Sequence, residues 1–148
     1  MNLTNPVSTI MSRDLLTVDP DDTIAKLDNI FKHHRIHHVP VEQNGKLVGI
    51  VSKSDLLFFK RGFGDDKDLE QLEEIRLNNY EVKQIMTTKM ARLEPEERIN
   101  VALEIFKENI FHAIPIVKDD KLVGMLTTYD ILKNLADEGL AVSEYKYV

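Results

Sequence analysis

Two seven-residue stretches carry the side chains best suited to chemistry: Gly49-Ile50-Val51-Ser52-Lys53-Ser54-Asp55 and Gly124-Met125-Leu126-Thr127-Thr128-Tyr129-Asp130. Each opens an apolar run with glycine and follows it with a hydroxyl and, three residues later, an aspartate. Glycine in a strand lets another group approach the backbone closely. An aspartate at a helix start can accept hydrogen bonds from two vicinal hydroxyls, strengthened by its charge. A helix N-terminus beside a hydroxyl is also a ready anion site. The same residues have a plainer reading, in which Asp55 and Asp130 cap their helices and Ser52 and Thr127 fill a turn. Ser54 and Tyr129 occupy matching places, and a phenol there fills space or stacks where a serine could hold an anion.

The run His33-His34-Arg35-Ile36-His37-His38 is the second chemical feature. On one continuous helix, His33 with His37 and His34 with His38 would stand at the i,i+4 spacing of zinc or nickel ligands. A helix that ends near His34, with a strand starting near Ile36, separates both pairs. The chain has no cysteine to complete a site, so no metal site is assigned, and disulfides and thiolate catalysis are excluded with it. No nucleophile-base pair, phosphate loop or metal-ligand spacing appears, which argues against an enzyme.

The elements that must position these residues come in two copies. Sliding the chain by 75 positions aligns Ile10-Met11 with Ile85-Met86, Ile30-Phe31-Lys32 with Ile105-Phe106-Lys107 and His37 with His112. It also aligns Pro40 with Pro115, Lys46-Leu47-Val48-Gly49 with Lys121-Leu122-Val123-Gly124, and Asp55 with Asp130. Ungapped identity at this level marks an internal duplication.

Each unit reads as β-α-β-β-α, which makes the fold class mixed α/β (α+β). The first strands are expected at Leu15 to Val18 and Met90 to Leu93. Pro20 and Pro95 then suit a first helical position, with acids in the first turn. Ile24, Leu27, Ile30 and Phe31, matched by Ile99, Ala102, Leu103 and Phe106, recur at the spacing of a buried helical stripe. Ile36 to Val41 and Leu47 to Ser52 read as a hairpin around Asn44-Gly45, since both central residues of a type I′ turn need positive φ. The second copy has Asp119-Asp120 there, so a different turn or longer loop is expected. Helices follow over Asp55 to Phe59 and Asp130 to Ala136. The organisation is a first repeat over 1–59, a connector over 60–80, a second repeat over 81–137 and a tail over 138–148. In the connector, Arg61-Gly62-Phe63-Gly64-Asp65-Asp66 reads as loop, and Leu69, Leu72, Ile75 and Arg76 read as a short amphipathic helix.

Composition bounds the partners. Of 148 residues 43% are apolar and 30% charged, with a formal charge of −6. That describes a soluble, mildly acidic surface, and nucleic acid is excluded for want of a basic stripe. No run long enough to span a membrane occurs, and residues 1–15 lack the basic start and apolar block of a signal peptide. A cytoplasmic location is expected.

The ordered set of Met11-Ser12 or Met86-Thr87, a strand, a proline-led helix start, an apolar strand carrying Pro40-Val41 or Pro115-Ile116, and Gly-h-h-Ser/Thr-x-x-Asp resembles tandem CBS domains, together called a Bateman module. The resemblance implies two repeats related by a pseudo-twofold axis, with two clefts that take AMP, ADP, ATP or S-adenosylmethionine as regulatory ligand. It implies that Asp55 and Asp130 hold ribose hydroxyls, and that Ser52, Lys53, Ser54, Thr127, Thr128 and backbone amides lie near phosphate. His38, Pro40, His112 and Pro115 would border the clefts, with His38, Arg35 and Lys53 as available cations. A non-catalytic regulator follows, acting on an unidentified target protein or alone, and pairing as a homodimer through Leu56, Phe59, Ile131 and Leu135. The alternative is a ligand-free structural or dimerisation module.

Overall fold

The structure is a computed structural model that describes residues 1–61 and 70–138. The first unit holds α1 (Ile24–His33), β1 (His38–Gln43), β2 (Lys46–Ser52) and α2 (Lys53–Arg61). After a helix α3 (Glu70–Asn79), the second holds α4 (Ile99–Lys107), β3 (Ala113–Lys118), β4 (Lys121–Thr127) and α5 (Thr128–Asp137). Each hairpin is antiparallel, and the two join into one sheet of order β1-β2-β4-β3 through Lys46 and Lys121. These are equivalent positions of the two units, so the sheet is pseudo-twofold about their junction. The duplicated α+β architecture read from the 75-residue offset is present.

Local chemistry sets the element ends. Thr23 caps α1 by accepting the Lys26 N–H at its hydroxyl, which a threonine does better than most residues. The helix therefore starts at Ile24, four residues later than Pro20 suggested. Pro20 and its acids form a turn instead, with the Asp22 carboxylate accepting the Asp19 N–H at 2.8 Å. Asn44 and Gly45 have φ of 54° and 79°, as the hairpin required. Asp119 and Asp120 have φ of 51° and 63°, so the second hairpin makes the same two-residue turn and needs no longer loop. The strand pairing on either side imposes it, and aspartate tolerates the left-handed region better than most residues.

The first strands are not formed. Val18 and Leu93 make single parallel bridges to Val41 and Ile116. At these points β1 and β3 shift register, and one N–H of each, from Glu42 or Val117, turns to the incoming segment's carbonyl. One bulge per hairpin accommodates one residue, and the pairing goes no further.

The core is two clusters with exchanged members. Ile24, Leu27, Phe31, Val39, Val41, Val51 and Leu56 of the first unit pack with Leu77 and Val82 from beyond it. Ile99, Ala102, Ile114, Ile116, Leu126 and Ile131 of the second pack with Val7 and Met11 from the chain start. Backbone bonds repeat the swap reciprocally. Val7 N–H donates to Glu97 and Val82 N–H to Asp22; Ile99 N–H donates to Asn5 and Ile24 N–H to Tyr80. Ser12 pairs with Met125 and Thr87 with Ile50 in both directions. Each unit's leading segment thus completes the other unit.

The connector packs as expected but with a different face. Leu77 is buried while Leu72 and Ile75 are exposed, because α3 lies on α1 and only its C-terminal end reaches the core. The glycine-rich stretch, Leu69 of the expected connector helix and the tail beyond Glu138 lie outside the described residues. Buried Asp28 of α1 ties α2 to α1 by accepting from Lys60 at 2.5 Å, with Lys32 at 2.9 Å. Burial pushes this carboxyl up, but the hydrogen bonds from Lys60 and Lys32 outweigh it and hold it below its ordinary value. The equivalent residues of the second unit are Leu103 and Leu135. Met1 is in ionic contact with Glu138, so the described ends lie side by side. Among the described residues no helix is long and apolar enough to cross a membrane.

Gly49 and Gly124 test the exchange. A Cβ added at Gly49 would lie 2.6 Å from Met86 Sδ and 3.2 Å from the Thr87 carbonyl oxygen; at Gly124 its three nearest atoms would all be of the Met11 side chain. Overpacking of this kind costs about 1–3 kcal/mol. Gly49→Ala is expected in that range by urea denaturation, and Gly124→Ala to cost less, since a methionine end can move and a backbone oxygen cannot.

Candidate functional site

The candidate residues gather at two helix starts. Ser52 ends β2, and α2 begins at Lys53. Asp55 Oδ2 accepts the Ser52 N–H at 2.8 Å, and Ser52 Oγ accepts the Asp55 N–H at 3.0 Å. In the second unit Asp130 Oδ2 accepts the Thr127 N–H at 2.7 Å, and Thr127 Oγ1 accepts the Asp130 N–H at 3.1 Å. Ser52 and Thr127 are therefore the caps, and each aspartate, at the third helical position, closes a capping box by accepting the cap residue's N–H, the reverse of the roles expected in the plainer reading. Each cap commits Oδ2 and leaves Oδ1 for something else.

The strands bring further residues to the same corners. His38 stands opposite Ser52 and Ala113 opposite Thr127. The His37 carbonyl accepts the Lys53 N–H at 2.8 Å, and the His112 carbonyl accepts the Thr128 N–H at 3.1 Å. One corner thus assembles His37, His38, Ser52, Lys53 and Asp55, and the other His112, Thr127, Thr128 and Asp130. Ser54 and Tyr129 are exposed in the first turns of α2 and α5. Pro40 and Pro115 are buried two residues further along their strands, opposite Ile50 and Met125, behind the corners rather than on them. Arg35 is exposed in the segment between α1 and β1.

The structure adds one residue that sequence reasoning passed over. Ser12, on the exchanged segment, donates from Oγ to Asp130 Oδ1 at 3.2 Å. The signal was present in the doubled Met11-Ser12 and Met86-Thr87, but their positions in the sequence do not reveal that they cross to the opposite unit. The same crossing corrects the role expected of the glycines. The space beside Gly49 and Gly124 is taken by Met86 and Met11, so these glycines admit methionine side chains rather than a ligand.

The histidine run divides as its two periodicities implied. Helix α1 ends at His33, His34 is extended at its C-cap, and His38 starts β1, so neither i,i+4 pair shares a helix. Among the described residues no group of three or more His, Cys, Asp or Glu is placed to hold a metal. His38 is half-buried, and its equivalent Ala113 belongs to a small apolar cluster with Ile50, Met125, Leu15 and Met90 drawn from both units. Burial lowers its pKa below the ordinary 6.5, the charges of His37 and His112 lower it further, and Asp55 opposes them. His38 is therefore mainly neutral at pH 7 and offers a ring N–H rather than a charge, leaving Lys53 as the exposed cation of that corner. A shallow hollow elsewhere, lined by Glu94, Glu96, Glu97, Arg98 and Val101, shares no residue with either corner.

A family model of the CBS domain matches residues 7–62 and 82–137. The chain belongs to the CBS domain family. It is 30% identical over 126 residues to inosine-5'-monophosphate dehydrogenase of Methanocaldococcus jannaschii, covering 84% of this chain and 22% of that enzyme. It spans 32% and 36% of two uncharacterized proteins of the same organism at 28% and 30% identity. The aligned part of the dehydrogenase is thus a minor share of it. Among solved structures the CBS pair resembles CBSX2 in complex with AMP, with a TM-score of 0.73, 23% identity, and 90% and 97% of the two chains covered. It also resembles the CBS domain pair of protein MJ0100 in complex with 5'-methylthioadenosine and S-adenosyl-L-methionine, at TM-score 0.69, 27% identity, and 92% and 99% coverage.

The dimer contacts expected from the sequence are partly on the wrong face. Leu56 and Ile131 are 2% and 6% exposed and belong to the two cores. Phe59 packs against the first core and edge-on to Tyr80. Of the expected residues Leu135 does face outward, and Leu57, Phe58, Tyr129 and Leu132 share the outward faces of α2 and α5 with it. The sheet takes Leu56 and Ile131, which turns their neighbours outward.

His38 gives a pH test with a defined sign. Its folded-state pKa is depressed, so its contribution to stability is present above 6.5 and is lost as pH falls through the folded value. His38→Ala, which copies Ala113, is expected to lessen the loss of stability on the acid side of pH 6.5, measured by denaturant midpoints across pH.

Proposed function

We propose that this CBS pair is a non-catalytic regulatory module that binds an adenine nucleotide or adenosyl compound between its repeats. The observation that carries the reading is the doubled corner, in which a hydroxyl and an aspartate at a helix start lie beside the strand end of the same unit and the exchanged segment of the other. In this reading Asp55 or Asp130 accepts the ribose hydroxyls, while Ser52, Lys53, Ser54, Thr127 and Thr128 and the first-turn amides receive phosphate or carboxylate. His38 and His112 border the site, and Pro40 and Pro115 support it from behind. AMP in CBSX2 and S-adenosyl-L-methionine with methylthioadenosine in the MJ0100 pair support the ligand class.

Such a ligand acts by bridging. It touches residues of both units and so favours one arrangement of the repeats over others, and only that difference in affinity can reach a target protein. No step of bond making is part of this reading, and a cytoplasmic setting, where adenine nucleotides abound, belongs to it.

Calorimetric titration of the full chain with AMP, ADP, ATP and S-adenosylmethionine tests the proposal. Binding to the folded state alone raises stability by about 2.7 kcal/mol at a hundredfold excess over Kd, so the thermal midpoint is expected to climb with at least one of these ligands. Flat midpoints and no heat with all four would leave the ligand-free module as the answer.

A homodimer is the second part of the reading. Phe58, Tyr129 and Leu132 are 78%, 70% and 64% exposed, an apolar set on two helices that water solvates poorly. Sedimentation is expected to give twice the chain mass for the native protein, and the chain mass for Phe58→Glu with Leu132→Glu; a native monomer at micromolar concentration would refute it.

A further inference from the structure

The two corners are alike in sequence but not in what their polar atoms are already doing. A carboxylate offers two oxygens and about four lone-pair positions. Asp130 accepts from the Thr127 N–H and the Thr127 hydroxyl at Oδ2, both at 2.7 Å, and from the Ser12 hydroxyl at Oδ1. Roughly one position is left. Asp55 accepts from the Ser52 N–H at Oδ2. Among the described residues nothing donates to its Oδ1. Thr87, the counterpart of Ser12, is exposed, and only its backbone is engaged, with Ile50.

The hydroxyls differ in the same direction. The Thr127 hydroxyl gives its hydrogen to Asp130. The Ser52 hydroxyl accepts from the Asp55 N–H and donates to no protein atom among the described residues. The Asp55 corner therefore keeps an uncommitted acceptor oxygen and an uncommitted O–H. The Asp130 corner has satisfied both internally. Charge follows: Lys53 at the first corner corresponds to Thr128 at the second, and the ring N–H of His38 to the methyl of Ala113.

We propose that the repeats are functionally unequal: the Asp55 corner is the ligand site, and Ser12 acts as a built-in occupant that closes the Asp130 corner. The inference rests on the nucleotide-binding reading above. A vicinal diol needs two acceptor positions on one carboxylate, and only Asp55 has them free. A phosphate on the same ligand needs donors, and only that corner offers a free hydroxyl with a cation beside it. To use the Asp130 corner, a ligand must first displace the Ser12 hydroxyl, and with it loosen the exchanged segment that completes the second core. Ser12 is in this sense a positioning residue, acting on a ligand through Asp130.

The test is calorimetric titration of AMP into the full chain. The native protein is expected to bind at a ratio near one. Asp55→Asn, which keeps an oxygen for the Ser52 N–H, is expected to weaken that event at least tenfold, and Asp130→Asn to leave it within twofold. Ser12→Ala is expected to add a second binding event. Amide exchange of the Met125 backbone, paired with Ser12, reports whether that variant still holds the exchanged segment. Two equal sites in the native chain, or loss of AMP binding in Asp130→Asn with retention in Asp55→Asn, would overturn the asymmetry while leaving the ligand reading intact. An absence of binding by AMP, ADP, ATP and S-adenosylmethionine alike would overturn both.

Discussion

The fold depends on an exchange of short segments between its two halves. Val7 and Met11 from the chain start sit in the second core, and Val82 with its neighbours sits in the first. The exchange is made at glycine: the Met11 and Met86 side chains occupy space that any Cβ at Gly124 or Gly49 would claim. Burial of one apolar side chain contributes about 1.5–3 kcal/mol, so each half draws a material part of its stability from residues of the other. Helix starts, hairpins and corners are then positioned relative to one another without a large interface between finished domains.

Duplication sets the plan, and departures from it make the halves different. Where the second unit has Leu103 and Leu135, the first has the ion pair of Asp28 and Lys60. Where the second has Ala113 in the apolar cluster between units, the first has His38, desolvated and repelled by two other histidines. A buried charge or ring costs more than the aliphatic residue it replaces unless its partners are in place. Asp28 has Lys60 and Lys32. His38 has instead a depressed pKa, because neutrality relieves the cost.

Much of this was legible in the sequence, for physical reasons that also explain the rest. The 75-residue offset, the Asn44-Gly45 turn and the stripe of Ile24, Leu27 and Phe31 are local patterns, and local geometry follows from them. The exchange was not legible, because Val7 and Val82 are equivalent, equally apolar positions and nothing in their local sequence says which half each enters. The phase of α2 was misread for a related reason. Leu56 and Leu57 are adjacent and equally apolar, so only the sheet decides which one is buried. At the corners, Asp55 and Asp130 were open to a capping role or a ligand role, and the hydrogen bonds show them closing the caps made by Ser52 and Thr127 without using every lone pair.

The contact between Met1 and Glu138 has a further meaning. An insert whose entry and exit points are neighbours can be spliced into a surface loop of a larger host without prying that loop apart. The stretch that matches this chain is a minor part, 22%, of the dehydrogenase, a larger chain.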